Sequence, residues 1–308
     1  MNVGILLKYY RKLRFLTQEE LASGAGVNEK YYGRIERGES IPTIEVLFKI
    51  CEAMSVEATQ VCFALRKEEA YKYLLMDKRD NLLDGDYIKE IPPRFVAEVS
   101  LNGLTHLVYT GTNSKLSNYV ELEGQKVLLQ KTIKQSKYSF SLFALDKGDM
   151  YLMLNSNIIN NVFEELYYIG ALKGYTIYGI GLPERTINNY KCDFFFPEEN
   201  LLVENKTLMC KESKIIYPLE SSEHIKKQLK SIRDVLRSGY KVKYNLFILF
   251  PWINMLSWAE DIKDLIKETQ SMGMQILLYY VYYESNILKV QAAELREKEE
   301  NLFDIIFL

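Results

Sequence analysis

Residues 191–208, KCDFFFPEENLLVENKTL, decide the fold class of the second half of this chain. Two apolar runs flank a Pro-Glu-Glu-Asn turn, a pattern typical of a β-hairpin. A turn centred on the Glu-Glu pair places residues whose numbers sum to 397 opposite one another, so Asp193 faces Glu204. Opposed residues have Cβ atoms about 4.5–5.5 Å apart, and the strand period of two puts Lys206 on the same face as Glu204. The hairpin therefore predicts a cluster of two carboxylates and one ammonium group.

This cluster suits metal-assisted hydrolysis of a phosphodiester bond. Asp193 and Glu204 offer the hard oxygen ligands that Mg²⁺ or Mn²⁺ prefers, and Lys206 can orient or deprotonate water and stabilise charge on the phosphate. The order D…E-x-K is the pattern of restriction-endonuclease-like nucleases. An isolated E-x-K occurs by chance in many charged proteins, so a solvated strand is the alternative interpretation.

The segments around the hairpin predict an α/β layer. Apolar runs indicate strands and amphipathic runs indicate helices. The predicted strands span residues 201–209, 244–250 and 275–283, and the predicted helices span residues 160–170, 222–237 and 258–272.

The first 65 residues show helical spacing of apolar side chains between short breaks. Thr17 and Glu20 form a capping box, Asn28 is a good N-cap, and Thr43 caps a fourth helix. We expect four or five short helices. The stretch TQEELASGAGVNEKYYGRIERGESIPTIEVLFKI resembles the helix-turn-helix of lambda-repressor/XRE-type regulators in its Q-x-x-L-A, G-V and I-E-x-G-x-x-x-P landmarks.

That resemblance implies a recognition helix over residues 28–37, lying in the major groove. The side chains at the family's DNA-facing positions are Gln18, Asn28, Lys30, Tyr31 and Arg34. Arg34 is the best candidate for reading a base, and a solvated helix face is the alternative. Gly33 departs from the small hydroxyl residue that is usual in the family. Residues 1–57 hold eight Lys or Arg and eight Glu, so we expect one copy to bind DNA weakly and a homodimer to bind better.

The middle of the chain predicts a helical linker and then a small β-barrel. Residues 66–90 have a charged helical pattern, and IPP at residues 91–93 stops a helix. Five short alternating segments follow, at residues 95–101, 104–111, 119–132, 138–145 and 150–155, and they suggest an OB-like barrel. Basic and aromatic side chains that could hold single-stranded nucleic acid are Tyr109, Lys131, Lys134, Lys137 and Tyr138. A structural barrel with a solvated lysine loop fits equally well.

From about Pro93 to Val290 the chain resembles the sugar fermentation stimulation protein A (SfsA) family, an OB-like domain followed by a restriction-endonuclease-like domain. The matching segments are RFVAEVSLNG, YTG, LNSNIIN, ERTINNYKCDFFF, VENKTL and HIKKQL. The resemblance implies catalytic roles for Glu184, Asp193, Glu204, Lys206 and His224, and we expect Gln228 to face the same cleft. Two departures stand out. The F-P-D-A…R-G segment is reduced to YPLESSE at residues 217–223, and Asn205 replaces an apolar residue, so it needs a hydrogen-bond partner if buried.

Together these patterns predict a multidomain protein: an all-α helix-turn-helix domain (1–65), a helical linker (66–90), an OB-like barrel (91–165), an α/β restriction-endonuclease-like domain (166–290) and a helical tail (291–308). The apolar end of the tail is expected to dock on the chain's own core or on a second copy. Hydrophobic residues make up 48% of the 308 residues and the formal charge is −2, which excludes a disordered chain and a global positive field.

We predict a sequence-directed DNA-binding protein with a metal-dependent nuclease domain that acts on DNA or RNA. The alternative is a non-catalytic XRE-type transcriptional regulator that uses the nuclease-like fold as a binding or oligomerisation platform. The N-terminus has no apolar signal-peptide core and no apolar run approaches the roughly 20 residues that span a bilayer, so we expect a cytoplasmic protein without a membrane partner.

Overall fold

The computed structural model describes residues 3–14, 16–56, 58, 61–62, 82–91, 95–112, 115–132, 137–168, 170–175, 181–219, 222–284 and 287–308. It divides the chain into two compact units. Unit 1 comprises residues 1–81, 161–177 and 285–289, and unit 2 comprises residues 82–160, 178–284 and 290–308. No helix in the described ranges is long and apolar enough to cross a membrane.

Unit 1 is built from short helices around an apolar core. The helices are α1 (Val3–Leu13), α2 (Gln18–Gly24), α3 (Glu29–Glu36), α4 (Ile44–Ala53) and most of α5 (Ile159–Tyr168). Leu21, Tyr32, Ile35 and Ile50 are buried. The predicted helical domain is therefore observed over its described residues.

The predicted helix starts of unit 1 are present in the structure. Thr17 and Glu20 form the capping box of α2, the Asn28 side chain accepts from the Tyr31 N–H at the start of α3, and Thr43 accepts from the Val46 N–H at the start of α4. Each cap satisfies backbone donors that have no partner within the helix, so the helices begin where the sequence signals them.

Unit 2 contains a closed five-stranded barrel. Its strands are β1 (Leu82–Ile91), β2 (Val96–Leu101), β3 (Leu104–Tyr109), β4 (Lys126–Lys131) and β5 (Phe140–Asp146). Their pairing order is β1-β2-β3-β5-β4-β1, with β3 and β5 parallel and the other pairs antiparallel. Four of the five predicted segments supply β2 to β5. The fifth, β6 (Met150–Met153), pairs with β5 but lies outside the closed ring.

The predicted helical linker is wrong over its last residues, because Leu82–Ile91 is the strand that closes the barrel. Gly85 lies so close to β2 that a Cβ there would sit 2.5 Å from the Val99 side chain, and glycine permits this approach. Pairing with two neighbouring strands satisfies both edges of β1, and this tertiary gain overrides the helical pattern. The rest of the predicted linker, residues 66–81, lies outside the described residues.

A mixed sheet forms the remainder of unit 2. The strands β11 (Leu201–Leu208), β13 (Lys241–Ile248) and β15 (Gln275–Glu284) are parallel neighbours, and β6 pairs with β15. The hairpin partner of β11 is β10 (Phe194–Phe196), which also pairs with β7 (Leu182–Pro183). The short strands β8 (Thr186–Ile187) and β9 (Tyr190–Lys191) pair with each other.

Two crossover connections carry helices against this sheet. After β11 come β12 (Lys214–Tyr217) and α6 (Glu223–Arg237), and after β13 come β14 (Met255–Trp258) and α7 (Lys263–Ser271). The predicted helix at residues 258–272 is therefore shorter than expected. Ile225, Leu229 and Ile232 form part of the buried stripe of α6, which has the spacing of an amphipathic helix.

The predicted helical tail is also wrong. Residues 287–307 form a hairpin of β16 (Ile287–Glu299) and β17 (Leu302–Phe307), turning at Asn301 with φ 59°. The strand β17 lies between β16 and β14, and Ile305 is buried there. The helical propensity of AAELREKEE is weak compared with the gain from a strand that pairs on both sides. Of the two places predicted for the apolar end, the chain's own core is observed for Ile305, whereas Phe307 and Leu308 remain more than half exposed.

Candidate active site

The β10–β11 hairpin has the predicted register. Phe194 pairs with Val203, and Phe196 pairs with Leu201, so paired residues sum to 397. Asp193 precedes β10 and lies beside β11, where its Oδ2 accepts from the backbone N–H of Asn205 at 2.7 Å. The structure therefore brings Asp193 to Glu204 and Lys206, as expected from the alternation of strand side chains.

Glu204 is the centre of the cluster and is only 3% exposed. Its Oε2 accepts from the Tyr190 hydroxyl at 2.6 Å. Its Oε1 accepts from Lys206 Nζ at 2.6 Å and from Gln228 Nε2 at 2.5 Å. Three donors from β9, β11 and α6 thus hold one carboxylate in place, which fixes the relative positions of these elements at the site.

A chain of amides leads from the sheet interior to Asp193. Asn245 on β13 donates to Asn205 at 2.8 Å, Asn205 donates to Asn160 at 2.9 Å, and Asn160 donates to Asp193 Oδ1 at 2.9 Å. Asn205 is 6% exposed. The expected need of this residue for hydrogen-bond partners is confirmed, because both its side-chain oxygen and its side-chain nitrogen are paired.

Burial and the charges of neighbouring groups shift the pKa values in the cluster. Burial and repulsion by Glu204 raise the pKa of Asp193 from 3.8 to about 6, although the Asn205 N–H and Asn160 oppose the rise. Burial would lower the pKa of Lys206, but Glu204, Tyr217 and Asp193 together outweigh it and the net pKa is raised. Lys206 is therefore an ammonium at neutral pH, lying between groups that repel each other.

Two residues suggested by the family resemblance, Glu184 and His224, lie at exposed positions. The exposed side chain of Glu184 forms an ion pair with Lys191, in a turn where Glu184 has φ 56°. His224 is exposed in the first turn of α6 and lines a cavity beside Lys206. The described residues contain no group of three or more His, Cys, Asp or Glu side chains that could hold a metal ion.

Several groups at the site were not assigned a role from the sequence. Asn160 and Tyr190 lie inside segments that resemble the SfsA family, so the resemblance could have indicated them as site residues. Gln228 was expected to face the cleft, and its bond to Glu204 confirms this. Asn245 has no sequence signal, because its contact depends on the parallel register that places it beside Asn205.

The DNA-facing residues predicted in unit 1 have different environments. Lys30 and Arg34 are exposed on α3, and the Arg34 guanidinium lies 5.8 Å from the centre of the Tyr31 ring. Asn28 uses its side chain as the helix cap. Gln18 donates to the buried Glu36 at 2.6 Å, which also accepts two hydrogen bonds from Arg11. Of these residues, Lys30 and Arg34 keep exposed cationic side chains.

The basic and aromatic side chains predicted on the barrel are only partly described. Lys131 is exposed, and Lys137 Nζ lies 5.5 Å from the centre of the Tyr138 ring. The Tyr109 hydroxyl accepts from Asn157 Nδ2 at 3.1 Å. Lys134 lies outside the described residues.

Comparison with known proteins agrees with the two-part organisation. Residues 7–61 match a helix-turn-helix family model, and a repressor of the cryptic phage CTXphi, RstR from Vibrio cholerae, is 30% identical over 91 residues, or 81% of its length. A sugar fermentation stimulation protein homolog from Clostridium beijerinckii is 28% identical over 181 residues, 56% of this chain and 76% of the homolog. The chain joins an XRE-type DNA-binding helix-turn-helix domain to a region homologous to SfsA.

Other SfsA relatives support the same assignment. The homolog from Methanothermobacter thermautotrophicus is 25% identical over 175 residues, 56% of this chain and 72% of the homolog. The solved structure of Pyrococcus furiosus SfsA in complex with Ca²⁺ aligns with a TM-score of 0.56 and 15% identity over 68% of this chain and 93% of that chain. This likeness shows the fold of the large mixed β-sheet region, which follows the helical N-terminus.

Proposed function

We propose that the SfsA-homologous region is a divalent-metal-dependent nuclease that hydrolyses phosphodiester bonds in DNA or RNA, and that the helix-turn-helix domain directs it to a DNA site. The observation that carries the proposal is the convergence of Asp193, Glu204 and Lys206, with Lys206 Nζ 2.6 Å from Glu204 Oε1. Cleavage of DNA and RNA, single- and double-stranded, is expected with Mn²⁺ or Mg²⁺ and is expected to stop in EDTA. Absence of cleavage under every condition would contradict the proposal.

The donor set suits Mg²⁺ or Mn²⁺. A carboxylate accepts at about four positions; Asp193 accepts two hydrogen bonds and Glu204 accepts three, so each retains capacity for a cation. Burial and repulsion by Glu204 raise the pKa of Asp193, and a divalent ion would relieve the repulsion. Asp193 and Glu204 would hold it, and the bound metal would act as a Lewis acid toward the phosphate and water. The Ca²⁺ in the Pyrococcus furiosus SfsA structure supports this choice.

The chain's own groups have separable roles in this proposal. Lys206 stays protonated, because its pKa is raised, so it neutralises charge on the phosphate and does not act as a base. Gln228 donates to Glu204, while its buried Oε1 has no donor among the described residues. That oxygen can accept a hydrogen bond from the attacking water and orient it. The amide chain ending at Asp193 fixes the direction of that carboxylate.

The metal affinity is expected to depend on pH through Asp193. Its pKa is about 6, and a proton on the carboxylate competes with the metal ion. Mn²⁺ binding should weaken about tenfold per pH unit below pH 6 and level off above about pH 7. Calorimetric titration between pH 5 and pH 8 measures this. A flat profile would contradict a role for Asp193 as a metal ligand.

We also propose an OB-type barrel and a restriction-endonuclease-like region within unit 2. The ring order of β1 to β5 supports an OB-type barrel, which then begins at residue 82. The hairpin that carries the carboxylates and the crossover helices support a restriction-endonuclease-like region. The exposed Lys131 and the Lys137–Tyr138 pair support contact of the barrel with single-stranded nucleic acid.

Replacing Arg34 with alanine is expected to weaken binding to a selected operator by roughly 1–3 kcal/mol and to relax its sequence preference, if the guanidinium contacts a base with two hydrogen bonds. Lys30→Ala is the comparison, because a phosphate contact should weaken binding to all sequences alike. Selection of binding sites from random duplexes, followed by titration, measures both effects. If no duplex motif is enriched, the proposal that unit 1 directs the protein to a DNA site is wrong.

We also propose a homodimer formed through an exposed apolar patch next to α3. Ile41, Ile44 and Phe48 are 86%, 70% and 56% exposed, and Ile44 and Phe48 lie one turn apart on α4. A second copy is the partner that fits this patch. Antiparallel pairing of two α4 helices sets Ile44 against Phe48, and each copy also presents opposite charges one turn apart, at Glu45 and Lys49. A two-fold symmetric dimer would present two α3 helices to one duplex.

The expected effect of Phe48→Glu is loss of the dimer, because two like charges would face an apolar surface. Light scattering should give the mass of one chain, and operator affinity should fall. Leu104→Glu makes the same chemical change at a side chain that is 67% exposed on β3 and should leave the dimer intact. A wild type that is monomeric at micromolar concentration would contradict the interface.

A second function is favoured by one feature of the sequence. In residues 217–223 the chain lacks the aspartate and arginine of the family's F-P-D-A…R-G segment. A regulator that retains the nuclease-like fold for binding or oligomerisation would not need these residues. The cleavage assays distinguish this regulator from the nuclease.

A further inference from the structure

A cavity of about 280 Å³ lies beside Lys206, along an edge of β11. The strand β10 pairs only with Leu201–Val203. Beyond Val203 this edge of β11 receives Asp193, which accepts from the Asn205 N–H. Residues from Asn205 to Met209 then form one wall of the cavity. The cavity is therefore contiguous with the carboxylate cluster.

Aromatic and aliphatic residues also line the cavity. Tyr119, from the barrel side of unit 2, and His224, from the first turn of α6, contribute rings. Ile225 is buried, and Leu219 is 38% exposed at the rim. Such walls favour a flat, apolar ring system with hydrogen-bonding groups at its edge.

Polar groups line the remaining wall. Ser156 is buried and its hydroxyl donates to the Gly111 carbonyl, so its oxygen retains acceptor capacity. Thr207 also lines the cavity. Its N–H points to the same edge of β11 as the Asn205 N–H, because alternate N–H groups of a strand share an edge. The cavity thus combines stacking surfaces with groups that can bond to a base edge.

We propose that this cavity binds one unpaired nucleobase, from the nucleotide adjacent to the phosphate at Lys206. This inference rests on the proposed nuclease function for the position of that phosphate. A volume below the roughly 300–1,000 Å³ of pockets for drug-sized ligands suits a single ring system. Lys206 attracts the phosphate at the mouth of the cavity, and the base enters the stacking walls.

The substrate class follows from this arrangement. A base inside a duplex cannot enter a cavity unless it is flipped out of the stack, which costs a few kcal/mol. A single strand does not incur this cost. The preferred substrate is therefore a single strand or a locally unpaired segment.

The test compares two tryptophan substitutions. Leu219→Trp fills the rim of the cavity. Ile216→Trp is the matched control, because Ile216 is 53% exposed on β12 and is not part of the cavity wall. Binding of a 12-nucleotide thymidine strand and of a 12-unit abasic strand with the same phosphates is measured by fluorescence anisotropy in EDTA, using the full chain. Melting temperatures establish that each variant is folded.

We expect the wild type and Ile216→Trp to bind the thymidine strand about tenfold or more tighter than the abasic strand, and Leu219→Trp to lose most of this ratio. His224→Ala should reduce the ratio too, and it serves if Leu219→Trp does not fold. If Leu219→Trp keeps the wild-type ratio of thymidine-strand to abasic-strand affinity, the proposal is wrong. The same holds for His224→Ala if Leu219→Trp does not fold. Cleavage of a blunt duplex at the same rate as a single strand also overturns the proposal. Base-dependent binding without cleavage with Mn²⁺ would overturn the nuclease function instead.

Discussion

Replacing Lys206 with alanine is expected to lower the cleavage rate by about 10²–10³-fold while Mn²⁺ binding stays within a few-fold of wild type. The ammonium lies 2.6 Å from Glu204 Oε1 and is its only lysine partner among the described residues. Its loss removes positive charge from the phosphate in the transition state, and both carboxylates remain. Lys214→Ala, at an exposed position on β12, is the matched control and should cut at the wild-type rate.

The carboxylates should behave differently from the lysine. Asp193→Asn and Glu204→Gln keep the size of each side chain but remove an anionic ligand, so both Mn²⁺ binding and cleavage should be lost. Calorimetric Mn²⁺ titration beside a cleavage assay compares all the variants. If the Lys206→Ala protein cuts as fast as wild type, or if wild type neither binds Mn²⁺ nor cuts, the nuclease function is wrong and the regulator becomes the better account.

Deleting Asn301–Leu308 is expected to destabilise the protein by on the order of 5 kcal/mol. The deletion removes β17 from between β14 and β16, including the buried Ile305, whose N–H donates to the Asn254 carbonyl at 2.8 Å. It also removes Asn301, whose side chain pairs with both backbone groups of Trp258. Two strands would lose a partner, and apolar surface would be exposed to water.

Thermal unfolding measures this loss. A change of 5 kcal/mol corresponds to a fall in Tm of roughly 10–20 °C for a unit of this size. Leu308→Ala is the control, because Leu308 is 55% exposed and its truncation should cost less than about 0.5 kcal/mol. A deletion variant with the wild-type Tm and mass would show that β17 does not stabilise the fold.

The features that could be predicted from the sequence are those set by local geometry. The caps at Thr17, Asn28 and Thr43 were predictable because a capping side chain bonds to a backbone group within the next three residues. The register of the β10–β11 hairpin was predictable because a short turn and a period of two leave few alternatives. That register is what placed Asp193 beside Glu204.

The errors occur where strand pairing outweighs a local helical pattern. Leu82–Ile91 and Ile287–Glu299 carry charged, helix-prone residues, yet both are strands. Each gains backbone hydrogen bonds by pairing with a strand on both sides, and this gain outweighs the local propensity. The turn at Asn301 offered a weak signal, since asparagine tolerates the left-handed conformation.

The sequence by itself determined that this protein joins a helix-turn-helix to a hairpin carrying Asp193, Glu204 and Lys206. Only the tertiary structure decided how those groups are held. Tyr190 and Gln228 reach Glu204 from β9 and α6, and Asn245 lies next to Asn205 through the parallel register of β11 and β13. Buried polar groups must find partners wherever the fold provides them, and crossover connections set those positions over tens of residues. The cavity beside Lys206 has the same origin, because its walls come from segments that meet only in the folded chain.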